Sequence, residues 1–349
     1  MNFQIIENNL TLLEIFYTNV GSTWTNETIY LTLLPIGLIG LCLNIISFIV
    51  FVKIKIKSTK LYSYLRVYTL NSCMMCSIGM ISFLPFTPRY FKLTGNYYIV
   101  FFQCFILNYV AANFYLFGNL LDIVICFERL SIFIRMFKKI QHYSPYLISF
   151  ILLIISFLIN APILFWFRNL SEDEFYSSSL KLNNESFTMC GRTQFLKTNF
   201  GLIISIVAIF VRDIVTLTLE ITLSIVMIYY MRMFFKNKMN NIPIFNNNNT
   251  IQNHSTTRIE EFDKNFDRTL RMMTFIQLLA ILTHSITFGI FLTVIKDQFD
   301  GTRTNYIKNY GVIVANLLKN FSNFFLFYNF NLNFKKVIHL KPVTITNTN

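Results

Sequence analysis

The stretch IYLTLLPIGLIGLCLNIISFIVFV, residues Ile29–Val52, contains no charged residue. A helix needs about 20 apolar residues to cross the roughly 30 Å of hydrocarbon in a bilayer, and this stretch is long enough. It is continuously apolar, whereas a barrel strand alternates over about ten residues. A basic segment follows it directly, with Lys53, Lys55, Lys57 and Lys60. The stretch therefore predicts a membrane-spanning α-helix.

Six further low-charge runs have the same character, and the whole composition agrees with them. Of the 349 residues, 54% are hydrophobic and only 13% are charged, unlike a soluble domain. Only helices and closed barrels satisfy their backbone groups in lipid, so these runs predict an all-α membrane protein, a seven-transmembrane helix bundle. The predicted spans are residues 29–52, 62–86, 99–127, 144–167, 201–230, 270–295 and 306–330.

The basic residues predict the orientation of the bundle, because short loops rich in Lys and Arg stay in the cytoplasm. They concentrate after the first, third and fifth spans and near the end of the chain, whereas residues 1–28 contain none. We therefore expect an extracellular amino-terminal tail at 1–28, the bundle at 29–330 and a cytoplasmic segment at 331–349. The polar inner loop 236–267 is predicted to be disordered. Four candidate glycosylation sites fall on the outer side: Asn9, Asn26, Asn169 and Asn184.

Two of the six cysteines are predicted to lie on the oxidising outer side. Cys104 opens the third span, and Cys190 lies in the long outer loop before the fifth. A disulfide between them would tie this loop across the mouth of the bundle, and two free thiols are the alternative. The other four cysteines are predicted to be small buried side chains within spans: Cys42, Cys73, Cys76 and Cys126.

Nucleic-acid binding and enzymatic chemistry have little support in the sequence. The net charge of +13 lies mostly in loops beside the spans, so anionic membrane lipid and an acidic cytoplasmic partner explain it better than nucleic acid. The four histidines are scattered, without metal-ligand spacing. No phosphate loop, nucleophile elbow or dinucleotide fingerprint is present. We therefore predict no enzymatic activity, no cofactor and no metal site.

Landmarks in separate spans share the spacing of a known family. They are Gly40-Leu-Cys-Leu-Asn44, Glu128-Arg129-Leu130, Asn323-Phe-Phe-Leu-Phe327 and Phe334-Lys335-Lys336. They resemble the first-helix Asn, the Asp/Glu-Arg-Tyr motif, the Asn-Pro-x-x-Tyr segment and the start of the eighth helix in rhodopsin-like G-protein-coupled receptors. The twenty-five positions from Cys104 to Arg129 are the family's distance. The resemblance covers almost the whole chain, and it is strongest to divergent invertebrate orphan, neuropeptide-like or chemosensory receptors.

The resemblance implies a plasma-membrane receptor that binds an extracellular ligand and activates a heterotrimeric G protein, with a short amphipathic eighth helix. It implies that Glu128 holds Arg129 at rest and that Arg129 reaches an inserted partner helix when the sixth helix swings outward. An Arg that only anchors the helix end at the membrane interface is the alternative. The residues implied in coupling and activation are Glu128, Arg129, Asn323, Phe327, Arg268 and Arg271.

The resemblance also narrows the choice of ligand. Amine receptors of the family have an Asp at the position of Ala111, and opsins have a Lys at that of Leu317, so amines and retinal are disfavoured. A peptide is favoured, with a small chemosensory molecule as the alternative. Arg212 would receive an acidic group of the ligand, or would pair with a neighbouring acid in the bundle. The candidate pocket residues are Asn108, Ala111, Arg212, Asp213, Glu220 and His284.

Charged side chains inside spans are functional candidates, because each is costly unless it is paired or hydrated. Lys319 lies four positions before Asn323, near the point where relatives ligate sodium. We hypothesise that its ammonium replaces the sodium ion and pairs with Asp122. The alternative is that Lys319 contacts only carbonyl groups or extends to the interface. The predicted intramembrane polar network comprises Asn44, Asn71, Ser72, Asp122, Lys319 and Asn323.

Two other functions fit the same spans. A seven-span ligand-gated channel or transporter would also use Asp122, Glu220 and Lys319, because ion and proton pathways contain such residues. A receptor-like protein that has lost coupling would agree with Phe324 and Phe327, which replace the Pro and Tyr of the seventh-helix motif. The landmark spacing favours the receptor, since a transporter has no reason to keep it.

Overall fold

The computed structural model describes a large part of the predicted bundle. The described residues are 29–54, 60–82, 84, 101–134, 143–165, 167–169, 190–192, 198–240, 268, 271–272, 274–290, 292–293 and 306–339. Almost all of them are helical. The predicted tail 1–28 lies outside these ranges, together with the candidate glycosylation sites Asn9, Asn26 and Asn184.

The first two helices are α1 (Leu33–Lys53) and α2 (Leu61–Ile81), and they pack against each other. α1 ends where Ile54 takes an extended backbone conformation. Arg66 of α2 donates from Nε to the Phe51 carbonyl at 2.9 Å and from Nη2 to the Ile54 carbonyl at 3.1 Å. A helix leaves its last carbonyl groups without intrahelical partners, so Arg66 caps the end of α1.

Helix α3 begins with a π-helical segment, Phe102–Val110, and continues as a regular α-helix, Ala111–Phe133. It runs past the predicted end of the third span at residue 127, so the Glu128-Arg129 motif lies inside the helix. Helix α4 (Pro145–Asn160) has its proline in the first turn, where no intrahelical donor is needed. A 3₁₀ turn, Ala161–Phe165, follows it.

Two three-residue strands, β1 (Phe167–Asn169) and β2 (Cys190–Arg192), pair antiparallel after α4. They are a small departure from the all-α prediction. Asn169 pairs with Cys190 through the backbone. The side chains of Asn169, Cys190 and Cys104 are not among those described. The Cys104–Cys190 disulfide and the glycosylation of Asn169 therefore stay predictions.

The four cysteines predicted to be thiols within spans are free. Cys76 and Cys126 are buried as expected, and Cys73 is half-buried. Cys42 is exposed, so the prediction of burial is wrong for this residue. Its position on α1 faces away from the other helices, and a small apolar side chain also suits a surface that faces lipid.

Helix α5 has three segments: Asn199–Ile209, the π-helical Phe210–Val215, and Thr216–Asn240. The Thr198 side chain accepts a hydrogen bond from the Gly201 N–H at 3.0 Å and caps the first segment. The last segment includes residues 236–240, for which the sequence predicted disorder. In the structure these five residues continue the helix. Residues 241–267 lie outside the described ranges.

Three helices complete the described bundle. They are α6, described without a gap over Thr274–Ile290, α7 (Tyr306–Phe330) and α8 (Leu332–Ile338). The Asn331 side chain accepts a hydrogen bond from the Phe334 N–H at 3.1 Å and caps α8. Helix α7 covers the residues of the predicted seventh span, and α8 is a short helix in the segment for which an eighth helix was predicted.

The helices pack around α3, which contacts α2, α4 and α5, while α7 packs against α1 and α2. The largest apolar cluster includes residues of α1, α2, α3, α7 and α8. Phe51, Phe327 and Phe334 are fully buried in it. The ring of Phe327 lies 4.9 Å from that of Phe51 and 5.8 Å from that of Phe334, between centroids. Such aromatic pairs add packing energy beyond the burial of their area.

Four described helices are long and apolar enough to cross a membrane: Ile29–Lys53, Phe105–Ser131, Pro145–Phe165 and Asn199–Met233. They coincide with the predicted first, third, fourth and fifth spans. The apolar part of α6, Thr274–Ile290, is shorter, and α2 and α7 are more polar. By its described residues the chain is an almost entirely helical protein with four candidate membrane-spanning helices.

Candidate functional site

Helix α7 carries a buried ammonium group beside a buried carboxylate. Lys319 Nζ lies 2.8 Å from Asp122 Oδ2 on α3, and the two residues are 7% and 0% exposed. A longer contact of 3.4 Å joins Lys319 Nζ to Asn119 Oδ1. The hypothesised contact between Lys319 and Asp122 is therefore present. A charged hydrogen bond of this length is among the strong ones, and each partner compensates the other's burial.

Amide side chains join α7 to α1 and α2. Asn44 of α1 donates to the Asn320 carbonyl at 3.1 Å and to the Gly40 carbonyl at 2.8 Å. Asn323 donates to the Tyr68 hydroxyl of α2 at 3.4 Å. Together with the ion pair, these bonds connect α7 to α1, α2 and α3 through side chains.

Gln277 connects α6 to this network, and the sequence analysis did not single it out. Its Nε2 donates to the Asp122 carbonyl at 2.8 Å, and its Oε1 accepts from Ser224 Oγ of α5 at 3.4 Å. The residue is 1% exposed. In the sequence Gln277 is a lone amide in an apolar run, which indicates a buried contact less strongly than a charged residue does. The sequence analysis also left out Asn119 and Tyr68.

A small cavity lies beside Lys319, between α2, α3 and α7. Its volume of about 10 Å³ is room for about one water molecule. Asn71, predicted to belong to the network, lines the cavity, and its Oδ1 has no hydrogen-bond partner among the described residues. Ser72 is buried, but its Oγ also has no such partner, so the structure does not bring it into the network. The other polar residues along the wall include Tyr68, Tyr115, Asn119, Asn316 and Asn320.

The π-helical segment of α5 carries two of the predicted pocket residues, Arg212 and Asp213, in direct contact. Arg212 donates from Nε to Asp213 Oδ1 at 3.0 Å and from Nη2 to Oδ2 at 2.6 Å. Their side chains are 12% and 4% exposed. Of the two alternatives for Arg212, pairing with a neighbouring acid is the one observed. The π-helical segment itself has no signal in the sequence, and such segments are frequent at functional sites.

His284 of α6 lies between two carboxylates of α5. Its Nδ1 is 3.0 Å from Glu220 Oε2, and its Nε2 is 4.0 Å from Asp213 Oδ1. The Tyr115 ring of α3 meets the imidazole edge to face, with centroids 5.7 Å apart. Asp213, Glu220 and His284 are each at most 3% exposed. The structure therefore brings four of the six predicted pocket residues into one α5–α6 cluster: Arg212, Asp213, Glu220 and His284.

The other two predicted pocket residues, Asn108 and Ala111, lie on α3 where its π-helical segment meets the regular helix. Both are half-buried. Ala111 has no polar side-chain atom, so polar recognition near it must come from other residues. Asn113 is a candidate, because it is fully buried and neither its Oδ1 nor its Nδ2 has a hydrogen-bond partner among the described residues.

At the other end of α3, Glu128 and Arg129 are each 8% exposed. The described residues contain no ion pair between them, and Glu128 Oε2 and Arg129 Nε have no hydrogen-bond partner there. The two charges still attract each other electrostatically, so the expected hold of Glu128 on Arg129 stays a prediction, without a direct ion pair in this conformation. Adjacent side chains on a helix point about 100° apart, which separates the two charged ends.

The remaining predicted coupling residues lie on α6, α7 or the helical positions before α6. Arg268 is half-buried, and Arg271 is exposed. Asn323 belongs to the network around α7, and Phe327 packs in the aromatic cluster with Phe51 and Phe334. The predicted coupling residues therefore do not form one contact group among the residues described.

No protein-family model matches the chain, and no curated protein matches it. The class is therefore defined by fold and site alone. It is an almost entirely helical protein with membrane-length apolar helices, joined in its interior by buried ion pairs and amide hydrogen bonds.

Proposed function

We propose that the protein is a divergent rhodopsin-like G-protein-coupled receptor of the plasma membrane, with seven spans and an extracellular amino terminus. The observation that carries the proposal is the set of buried contacts of α7. Lys319, Asn320 and Asn323, within five positions, reach Asp122, Asn44 and Tyr68 on three other helices. Asn44 and Asn323 are two of the landmarks on which the resemblance rests.

This network suits a bundle that changes between two conformations. Helix α6 contacts α3 through Gln277 and α5 through His284. A displacement of α6 would break or exchange these buried contacts, which favours two discrete states over a continuous range. A ligand that binds one state more tightly would shift the population toward it. In this proposal the network is the element that has two states.

The two ends of the bundle have different roles in the proposal. The extracellular ligand, a peptide by preference, binds near the α5–α6 cluster of Arg212, Asp213, Glu220 and His284. At the inner end, the forked donors of Arg129 contact carbonyl groups of the G protein after α6 has moved. Among the described residues, Arg129 Nε has no hydrogen-bond partner, so this nitrogen could donate to such a carbonyl group.

The test is recruitment of an engineered G-protein probe to the surface-expressed protein across a library of neuropeptides and small odorants. We expect one ligand class to recruit the probe and Arg129→Ala to abolish the response. Lys53→Ala is the matched control, because Lys53 is an exposed basic residue at the end of α1. The control should keep the response, and surface expression is measured for all three proteins.

Two outcomes would contradict the proposal. A ligand-dependent membrane current without probe recruitment would identify a channel or transporter instead. A response that persists in Arg129→Ala at equal surface expression would remove the assigned coupling role. If no library member acts, probe recruitment forced by fusion of the G-protein fragment to the chain gives a ligand-independent comparison of the wild type with Arg129→Ala.

A further inference from the structure

The α5–α6 cluster contains more negative than permanent positive charge. Asp213 and Glu220 are its carboxylates, and Arg212 is its permanent cation. Arg212 is paired with Asp213 by three hydrogen bonds. The buried ammonium of Lys319 lies 2.8 Å from Asp122, and the two form an ion pair. Glu220 is fully buried, and an ionised carboxylate there needs a second positive charge.

The geometry of His284 shows where that charge fits. Both ring nitrogens face carboxylate oxygens, Nδ1 toward Glu220 at 3.0 Å and Nε2 toward Asp213 at 4.0 Å. A neutral imidazole has one N–H donor and one acceptor, so one of its nitrogens would direct a lone pair at an oxygen. Only the doubly protonated ring directs an N–H at each carboxylate, as a hydrogen bond to Glu220 and as a longer electrostatic contact to Asp213, since Nε2 has no hydrogen-bond partner among the described residues. The arrangement therefore fits a histidine ring that carries one proton more than the neutral form.

Other ligands fit the cluster less well. A metal ion would need several donors converging on one point, but Glu220 and Asp213 lie at opposite nitrogens of the ring, and the described residues contain no metal-binding group. A larger cation would need open space beside residues that are at most 3% exposed. A proton needs no cavity.

We propose that Asp213, His284 and Glu220 form a proton-binding site that fastens α6 to α5. The imidazolium form of His284 donates to Glu220 and attracts Asp213, and loss of the proton leaves a buried carboxylate without a compensating charge. Histidine is the side chain whose charge ordinarily changes between pH 5 and 8. The contact between α5 and α6 is therefore controlled by proton concentration. This site does not require that the protein couples to a G protein.

Groups on every helix that faces His284 contribute to its environment. From α5 these are Asp213, Glu220 and, through Asp213, the guanidinium of Arg212. From α3 the neighbour is Tyr115, whose ring packs against the imidazole. Beyond Tyr115 lies the pair of Lys319 with Asp122, which is neutral as a unit. Among the described groups of the cluster, Asp213, Glu220 and Arg212 sum to one negative charge without the proton.

The test measures thermal unfolding of the full chain, purified in lipid nanodiscs, at about pH 6 and about pH 8. A proton bound by the folded state and released on unfolding makes stability fall as pH rises. We expect the Tm of the wild type to be lower at the higher pH by about 2–4 °C. In His284→Asn, which cannot take up the proton, that difference should disappear.

Two further variants separate this site from other titrating groups. Glu220→Gln removes the carboxylate that lacks a permanent positive partner and should also abolish the pH dependence of Tm. This variant tests the proposal in place of His284→Asn if the latter does not fold. His339→Asn is the matched control, because His339 is exposed and bonds to Tyr328 in the α8 region, so this variant should behave like the wild type.

A wild-type Tm that is equal or higher at about pH 8 would overturn the proposal, as would an undiminished pH dependence in both His284→Asn and Glu220→Gln. Unfolding needs neither ligand nor G protein. A failure of the probe-recruitment assay therefore leaves this result intact, and a failure here leaves the receptor proposal intact.

Discussion

Lys319 and Asp122 show how a single buried charge depends on its partner. Removal of one member of a buried ion pair leaves the other charge uncompensated and costs about 3–5 kcal/mol, whereas removal of both is often nearly neutral. We therefore expect Lys319→Met to lower the free energy of unfolding by that amount. The double variant Asp122→Asn with Lys319→Met should recover most of the loss. Chemical denaturation of the purified protein in detergent measures both.

The control for this comparison is Lys335→Met. Lys335 is exposed and lies over the Tyr328 ring, with Nζ 5.2 Å from its centroid, so its loss should cost no more than about 1 kcal/mol. Equal destabilisation by the single and the double variant would show that the 2.8 Å contact contributes nothing as a pair.

For single residues, the sequence predicted the contacts of charged side chains better than those of uncharged ones. Asp122 and Lys319 could be paired in advance because a charge in a span demands a partner and few candidates exist. Gln277 and Tyr68 could not, since an uncharged polar residue is tolerated on several helix faces. The predicted hold of Glu128 on Arg129 is not a direct ion pair in this conformation, because the resemblance supplied the contact without the orientation of the two side chains.

Among the helices, existence was easier to predict than bounds or internal geometry. Helix α7 covers the residues of the predicted seventh span, whereas α3 and α5 continue beyond their predicted spans by six and ten residues, to Phe133 and Asn240. A span estimate ends where hydrocarbon ends, but a helix continues into water wherever its residues are good helix formers. The two π-helical segments in α3 and α5 insert no distinctive residue and left no sequence pattern.

Helices α1 and α2 approach each other closely at Gly37. A Cβ atom on this glycine would lie 2.7 Å from both Cα and Cβ of Met80, and backbone atoms cannot move aside as a side-chain end can. Small residues let membrane helices pack at short distance. We expect Gly37→Ala to force α1 and α2 apart and to destabilise the protein by about 1–3 kcal/mol, measured by thermal or chemical unfolding.

Gly289 of α6 provides the matched control. A Cβ atom there meets nothing within 4 Å, so Gly289→Ala should be neutral or should stabilise the helix by up to about 1 kcal/mol. Equal free energies of unfolding for the two alanine variants, or a higher one for Gly37→Ala, would contradict the effect of the close contact at Gly37.

For the molecule as a whole, the decisive question is how many helices cross the membrane. The three helices that are shorter or more polar, α2, α6 and α7, each bury polar side chains and expose some large apolar ones. Gln277 and His284 of α6 are 1% exposed, whereas Phe275 and Leu282 on the same helix are 50% and 57% exposed. On α2 and α7 the exposed apolar residues are Leu70, Met74, Leu318 and Phe325. Large exposed apolar side chains beside buried polar ones suit a lipid surrounding.

The number of spans has a simple consequence for the two ends of the chain. An odd number places them on opposite sides of the membrane, and an even number, such as four, places them on one side. The basic residues favour an extracellular amino terminus. We therefore expect an epitope at the amino terminus to be stained in intact cells, and an epitope at the carboxyl terminus to be stained only after permeabilisation.

Staining of a cytosolic protein in the same cells reports whether the membrane was intact, and permeabilised cells report the total expression of each tagged chain. Both epitopes accessible in intact cells, or both hidden, would mean an even number of spans. That result would contradict the seven-span bundle, and the receptor proposal would fall with it because Arg129 and the α5–α6 cluster would no longer be assigned to opposite sides. The proton-binding site would remain, since it depends only on the contact of α5 with α6.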